Sequence, residues 1–395
     1  MLLAVLVAAG AWGVTAMSDE RAPTGAAEGS ATLREVLEPW YDAVRRHDEA
    51  PARVVVVGDS ISEGVWMPTP VHRNRMVGML QEELRERLDA PGAAGYLPAF
   101  YVDPATRDDT SQSGAPAQEY MFEKWGLGGR ALFMPPTATL TYPRLPARRV
   151  RVWYGAVEAL GGEGRVLVDG EDVTSAGTLS DGTPSPATLS SVAARPEAGL
   201  WWESPDLGQG DHLVQVVGAG PLGAFVHTGV EFLDPDASSG IHVYDGSHSG
   251  AGTQHYASEL MAQGHWREVA ALDPQLVLVN LGSNPDFAYA QNLRIVVERA
   301  LEAAPDAAVV LVDGYEPGNW QSEAWQEVRA ARREVAAAHP DRVAVFDLAA
   351  QWPVLAKDGS TNEGLMIEEM LPLHPSLAGN ERMAEIFADL LTPPD

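Results

Sequence analysis

Apolar and polar positions follow two different rhythms along this chain. Leu33, Val36, Leu37, Trp40, Tyr41 and Val44 recur at helical spacing, with Pro39 placed to kink or restart the helix. Four consecutive valines, 54–57, then form an apolar run without alternation, which predicts a parallel strand covered on both faces. A glycine-bounded turn occupies 58–64, and Met76, Leu80, Leu84 and Leu88 mark an amphipathic helix after it. From 126 to 237 the texture changes to short alternating strands at 138–142, 150–154, 165–168, 212–217 and 230–233. Turn signals such as Asp169-Gly170 and the run 180–186 separate them. From 238 onward buried strands (276–281, 309–312, 343–346) again alternate with helices (292–303, 323–337, 379–391). The pattern predicts an α/β domain with a parallel sheet, made of 32–125 and 238–395. An antiparallel, jelly-roll-like β-sandwich at 126–237 interrupts it.

Charge narrows the partners. With 27 Lys and Arg against 55 Asp and Glu, the formal net charge is −28. That disfavours nucleic acid and anionic membrane surfaces, which need a basic face. The absence of cysteine removes disulfides, thiol nucleophiles and Cys-ligated zinc. Residues 1–17 carry no charge but are shorter than the roughly 20 residues of a spanning helix. They read as an export signal or anchor that lacks a basic n-region, followed by a polar linker at 18–31. A secreted or cell-surface location is the expectation, with no stable membrane association beyond that anchor.

The stretch VVVVGDSISEG at 54–64 carries the most chemistry. A strand running into a glycine-flanked turn that opens a helix puts Ser60 at the strand's carboxyl end, where open α/β sheets build their sites. There its hydroxyl is presented, and backbone N–H groups face any developing oxyanion. Taken alone, Gly-Asp-Ser is also ordinary turn chemistry, with Ser60 as a helix cap.

The blocks of the chain resemble those of the SGNH/GDSL hydrolase superfamily, in the family's order. The first is Gly58-Asp59-Ser60-Ile61-Ser62-Glu63-Gly64, the second Ser249-Gly250-Ala251, the third Gly282-Ser283-Asn284, and the last Leu371-Pro372-Leu373-His374-Pro375. The resemblance covers about 32–125 and 238–395, and the β insert is similar to that of actinobacterial exported and phage tail-associated members. It implies a flavodoxin-like three-layer α/β/α fold and a serine ester hydrolase needing no metal or cofactor. Ser60 would be the nucleophile and His374 the base, with an oxyanion hole from the N–H groups of Ser60 and Gly250 and the Asn284 amide.

Two positions depart from the family: Pro285 replaces an aspartate after Asn284, and Leu371 stands where the triad carboxylate belongs. Three readings follow. A Ser60–His374 dyad could use a backbone carbonyl to orient the ring; Glu368, Glu369 or Asp286 could supply the carboxylate; or the site is degenerate. Trp66, His248 and Trp320 are candidates for lining a substrate pocket. His248, His255 and His265 match no common metal-ligand spacing. Trp201-Trp202 lies on an alternating strand that would bury one indole, and Asp103, Asp108 and Asp109 read as a solvated loop. The expected activity is removal of O-acyl groups, O-acetyl among them, from a polysaccharide or glycoconjugate. An acyltransferase using the same Ser/His pair and a non-catalytic glycan-binding or tail-like module are the alternatives.

Overall fold

The computed structural model describes residues 32–394 except 91, 103–108, 123–124, 235–238, 285, 356–363 and 369. The apolar stretch 1–17 and the linker therefore lie outside the described residues, as do Glu369, Pro285, Asp103 and Asp108. Five parallel strands form the central sheet: β1 (Ala52–Gly58), β2 (Ile241–Asp245), β3 (Leu276–Asn280), β4 (Ala308–Asp313) and β5 (Val343–Asp347). Their order across the sheet is β2-β1-β3-β4-β5, the flavodoxin-like order expected.

The valine run explains the layering. Val54 and Val56 pack on one face of the sheet, together with α1 (Glu38–Arg45), α3 (Met76–Arg87) and α7 (Leu377–Leu391). The short helix α2 (Ser60–Glu63) opens directly after β1. Val55 and Val57 point the other way, against α4 (His265–Leu272), α5 (Tyr289–Ala303) and α6 (Ser322–Ala337). Side chains alternate across a strand, so both sets are buried only if helices cover both faces. Pro39 restarts the first helix, as expected: a four-residue turn, Leu33–Val36, ends just before α1, where Pro39 occupies the first turn.

The insert is a sandwich of two antiparallel sheets. One runs through the strands Thr178–Leu179, Glu197–Glu203, Arg149–Ala156, Phe225–Leu233, Arg130–Met134 and Gln118–Met121. The other contains Glu163–Val168, Val214–Ala219, Thr139–Thr141 and Ser111–Ser113. Val152, Trp202, Phe225 and Val230 from the first sheet share a core with Val166, Val214 and Val216 from the second. Trp202 is fully buried and its indole N–H donates to the Thr174 carbonyl at 2.9 Å. Its neighbour Trp201 lies under the Arg151 guanidinium, 4.4 Å from the ring centre.

Two expectations need correcting. The sandwich begins before 126, because Gly95–Pro98, Ser111–Ser113 and Gln118–Met121 already belong to its sheets. Strand β2 and helix α4 were not foreseen, although β2 forms one edge of the central sheet.

Sandwich and α/β domain meet along α4. Glu268 accepts the Gly126 N–H at 2.9 Å, and His265 Nδ1 accepts the Gly128 N–H at 3.0 Å. Gly128 has φ +68°, and a Cβ there would lie 2.3 Å from the Ser247 carbonyl oxygen, so only glycine fits the crossing. Burial pushes the Glu268 carboxyl up to about 7, against the hydrogen bonds that lower it. The folded chain therefore holds this proton more tightly than the unfolded chain, and its contribution to stability falls as pH rises from the usual carboxylate range through about 7. Thermal melts of Glu268→Gln across that range are expected to show a flatter pH dependence than the wild type. An unchanged slope would contradict this assignment.

Candidate active site

Parallel strands bring their carboxyl ends to one edge, and the motif blocks follow four of those ends. Asp59 caps α2, its Oδ1 accepting the Ile61 N–H at 3.0 Å. The Asp59 Oδ2 accepts the Ser283 hydroxyl at 2.5 Å, which ties the block after β1 to the block after β3. Burial raises the Asp59 carboxyl above its ordinary range.

Ser60 and His374 are 314 residues apart in sequence, yet Ser60 Oγ lies 3.0 Å from His374 Nε2. On the other side of the ring, His374 Nδ1 lies 2.5 Å from Glu368 Oε1. Glu368 Oε2 accepts the backbone N–H groups of His374 at 2.8 Å and Leu373 at 3.2 Å. Burial would raise the Glu368 carboxyl, but these bonds to His374 hold it below its usual value. A carboxylate at Nδ1 leaves Nε2 without a proton in the neutral ring, free to accept from the serine.

The loop geometry explains why Glu368 sits six positions before the histidine. Met366 and Pro375 form an antiparallel bridge, and the Ile367 N–H donates to the His374 carbonyl at 2.9 Å. The chain doubles back between them, so Glu368 faces His374 across the hairpin. Leu371 occupies the tip in a left-handed conformation, φ +50°, and is exposed. The loop after β4 braces it: the Tyr315 hydroxyl donates to the Leu373 carbonyl at 2.7 Å, and the Gly318 N–H to the Pro372 carbonyl at 2.7 Å. His374 thus has a carboxylate partner rather than a carbonyl.

Asp286 does not reach that ring. It accepts from the Thr253 hydroxyl, the Asn292 amide and the Ala288 N–H, stapling the third-block loop to α5. Asn284 donates one amide hydrogen to the Ala251 carbonyl at 2.8 Å, placing the amide beside the second block with one hydrogen left over. Gly250, at φ +80°, is exposed on that block, with open space where a Cβ would project. Trp66, about half exposed at 51 %, meets the His374 ring edge-on, with centroids 5.0 Å apart. Trp320 is partly buried and its indole N–H donates to the Ser283 carbonyl at 2.8 Å. The same ring borders a groove of about 650 Å³ between α5 and α6. His248 is buried, so it lines no open pocket.

Beneath these loops lies a buried ion cluster that the sequence did not announce. Arg130, at the start of a sandwich strand, donates to Glu63 at 3.0 Å and to Asp245 at 3.0 Å. Arg75 pairs with the same Asp245, and Glu63 accepts the Ser249 N–H and, at 2.8 Å, the Val102 N–H. Burial opposes ionisation of Asp245, but Arg75 and Arg130 hold its carboxyl at about 2. The available signals were that Glu63 lies inside the first block and Asp245 stands four residues before the second.

Residues 210–382 match the model of the GDSL-like lipase/acylhydrolase family. The match begins within the sandwich and ends on α7, taking in Gly250, Asn284, Glu368 and His374 but not Ser60. Over those residues, somewhat under half of the chain, the sequence is similar to that family of lipases and acylhydrolases. No curated protein matches the chain in sequence. Among solved structures, a peptidoglycan O-acetylesterase shares the fold at a TM-score of 0.64 and 16% identity, over 89% of this chain and 95% of that one. A salicylyl-acyltransferase from a tetracycline biosynthetic pathway (16% identity, 73% and 95% covered, TM-score 0.32) superposes too loosely to carry an argument. So does a family two carbohydrate esterase from Cellvibrio japonicus (12% identity, 71% and 97% covered, TM-score 0.28).

Removing Arg130 would take the guanidinium from the buried Glu63 carboxylate and leave Asp245 with Arg75 alone. Arg130→Met is expected to destabilise the fold by about 3–5 kcal/mol in urea unfolding. A loss below about 1 kcal/mol, the scale of a surface pair, would contradict the assignment.

Proposed function

We propose that the protein hydrolyses O-acyl esters, O-acetyl among them, on a polysaccharide or glycoconjugate, with Ser60 as nucleophile. One observation carries this reading: His374 stands between the Ser60 hydroxyl, at 3.0 Å, and the Glu368 carboxylate, at 2.5 Å. Ser60 Oγ attacks the ester carbonyl carbon as His374 Nε2 takes its proton. Glu368 keeps the imidazole in the Nδ1–H tautomer and stabilises the imidazolium that forms. The N–H groups of Ser60 and Gly250 and the free Asn284 hydrogen hold the tetrahedral oxyanion. Collapse expels the sugar alkoxide, which takes the proton back from His374 and leaves an acyl-Ser60. Water then attacks this acyl group with His374 again as base, releasing the carboxylic acid and restoring the serine.

The carbohydrate part of the reading draws on the shared fold with a peptidoglycan O-acetylesterase, and on Trp66 and Trp320 near the site as surfaces for a sugar ring. The uncharged stretch 1–17 supports action outside the cytoplasm. The strong negative charge favours neutral or cationic substrates over nucleic acid.

The wild type should turn over p-nitrophenyl acetate and release acetate from an O-acetylated polysaccharide, and Ser60→Ala should do neither. Glu368→Gln should lower kcat by up to about 10⁴-fold, as expected when the orienting carboxylate of such a triad is neutralised. Equal rates for wild type and Ser60→Ala would point to a non-catalytic module. Acetyl groups appearing on an added sugar, in place of free acetate, would reassign the activity to acyl transfer.

A further inference from the structure

His248 is buried, and its Nδ1 lies 2.8 Å from the Ser249 carbonyl oxygen. A carbonyl only accepts, so this nitrogen carries the proton and donates. At its other end the same residue is held as well, since the Ser249 N–H donates to Glu63. The peptide joining Ser249 to Gly250 is planar and trans, so its C=O and N–H point in opposite directions. With the Ser249 carbonyl turned inward onto a buried ring, the Gly250 N–H is turned outward, on the side where Gly250 is exposed.

The ring itself is clamped. Phe122, which follows a sandwich strand, lies between two imidazoles, with centroids 3.8 Å from His248 and 4.1 Å from His255. His255 Nδ1 accepts the Gly252 N–H at 2.9 Å, so both imidazoles fix the backbone of one loop, on either side of Gly250 and Ala251. Burial pushes His248 down to about 3, which keeps the ring neutral with a single proton for this bond.

We propose that His248 is a positioning residue, turning the Gly250 N–H into the oxyanion site through the Ser249 carbonyl, with Phe122 of the sandwich holding the ring in place. The proposal rests on the hydrolase reading above, and its test separates the two. Nitrogen-15 spectra of histidine-labelled protein should show His248 protonated at Nδ1 near neutral pH, whatever the protein hydrolyses. With p-nitrophenyl acetate, His248→Leu should lower kcat by about 100-fold and leave KM within about twofold. Binding of phenylboronic acid, a tetrahedral mimic, should weaken by a similar factor. His248→Asn, whose amide nitrogen takes the place of Nδ1, should recover most of the loss, with both variants melting as cooperatively as the wild type. The proposal is overturned by an Nε2–H tautomer, by a folded Leu variant with kcat within about threefold of wild type, or by an Asn variant no better than Leu. An inactive wild type with the Nδ1–H tautomer would sink the hydrolase reading and leave the loop geometry standing.

Discussion

A single guanidinium, buried where the sandwich meets the sheet, spans two carboxylates from different segments of the α/β domain. Arg130 bonds Glu63, from the turn after β1, and Asp245, at the end of β2. In a medium that penalises isolated charge, Glu63 depends on Arg130, while Asp245 shares it with Arg75. The cluster therefore fixes the separation of the two loops that carry Ser60 and Gly250. Glu63 extends the constraint by holding the Ser249 N–H, so charge deep in the protein sets backbone direction at its surface.

This arrangement changes the meaning of the insert. Arg130, Phe122 and the Gly126–Gly128 crossing all come from sandwich segments, and each touches the α/β domain at or below the site. A module attached only to bind a ligand would have no reason to place a fully buried arginine beneath the loops of the neighbouring domain. Through these contacts the sandwich braces the loops of the candidate site, whatever else it contacts.

What could be read from the sequence, and what could not, divides by whether the signal is local. The valine strand, its glycine turn and the later helices follow from periodicity, because the burial of each is written in its own side chains. Strand β2 escaped because His242 and Asp245 interrupt its apolar run; both are buried, and Asp245 is made tolerable by arginines from distant segments. Helix α4 is short, and a charged residue, Glu268, stands on its buried face beside His265, Trp266, Val269 and Leu272, which conceals how deeply that face is buried. The early sandwich strands are three or four residues long and two of them are largely polar, too brief for alternation to register. At the site, Ser60 and His374 were recognisable from their blocks. The carboxylate could only be narrowed to three, because a hairpin, not a spacing rule, decides that Glu368 faces the ring while Leu371 sits at the tip.

The proposal at the centre is that Ser60 is made nucleophilic by an imidazole that Glu368 orients. Incubation with a fluorophosphonate, followed by mass spectrometry of the digested protein, tests it directly. The account predicts one phosphonyl group per chain, on the peptide containing Ser60, and none in a His374→Ala variant. An unlabelled wild type, or label on another serine, would contradict it.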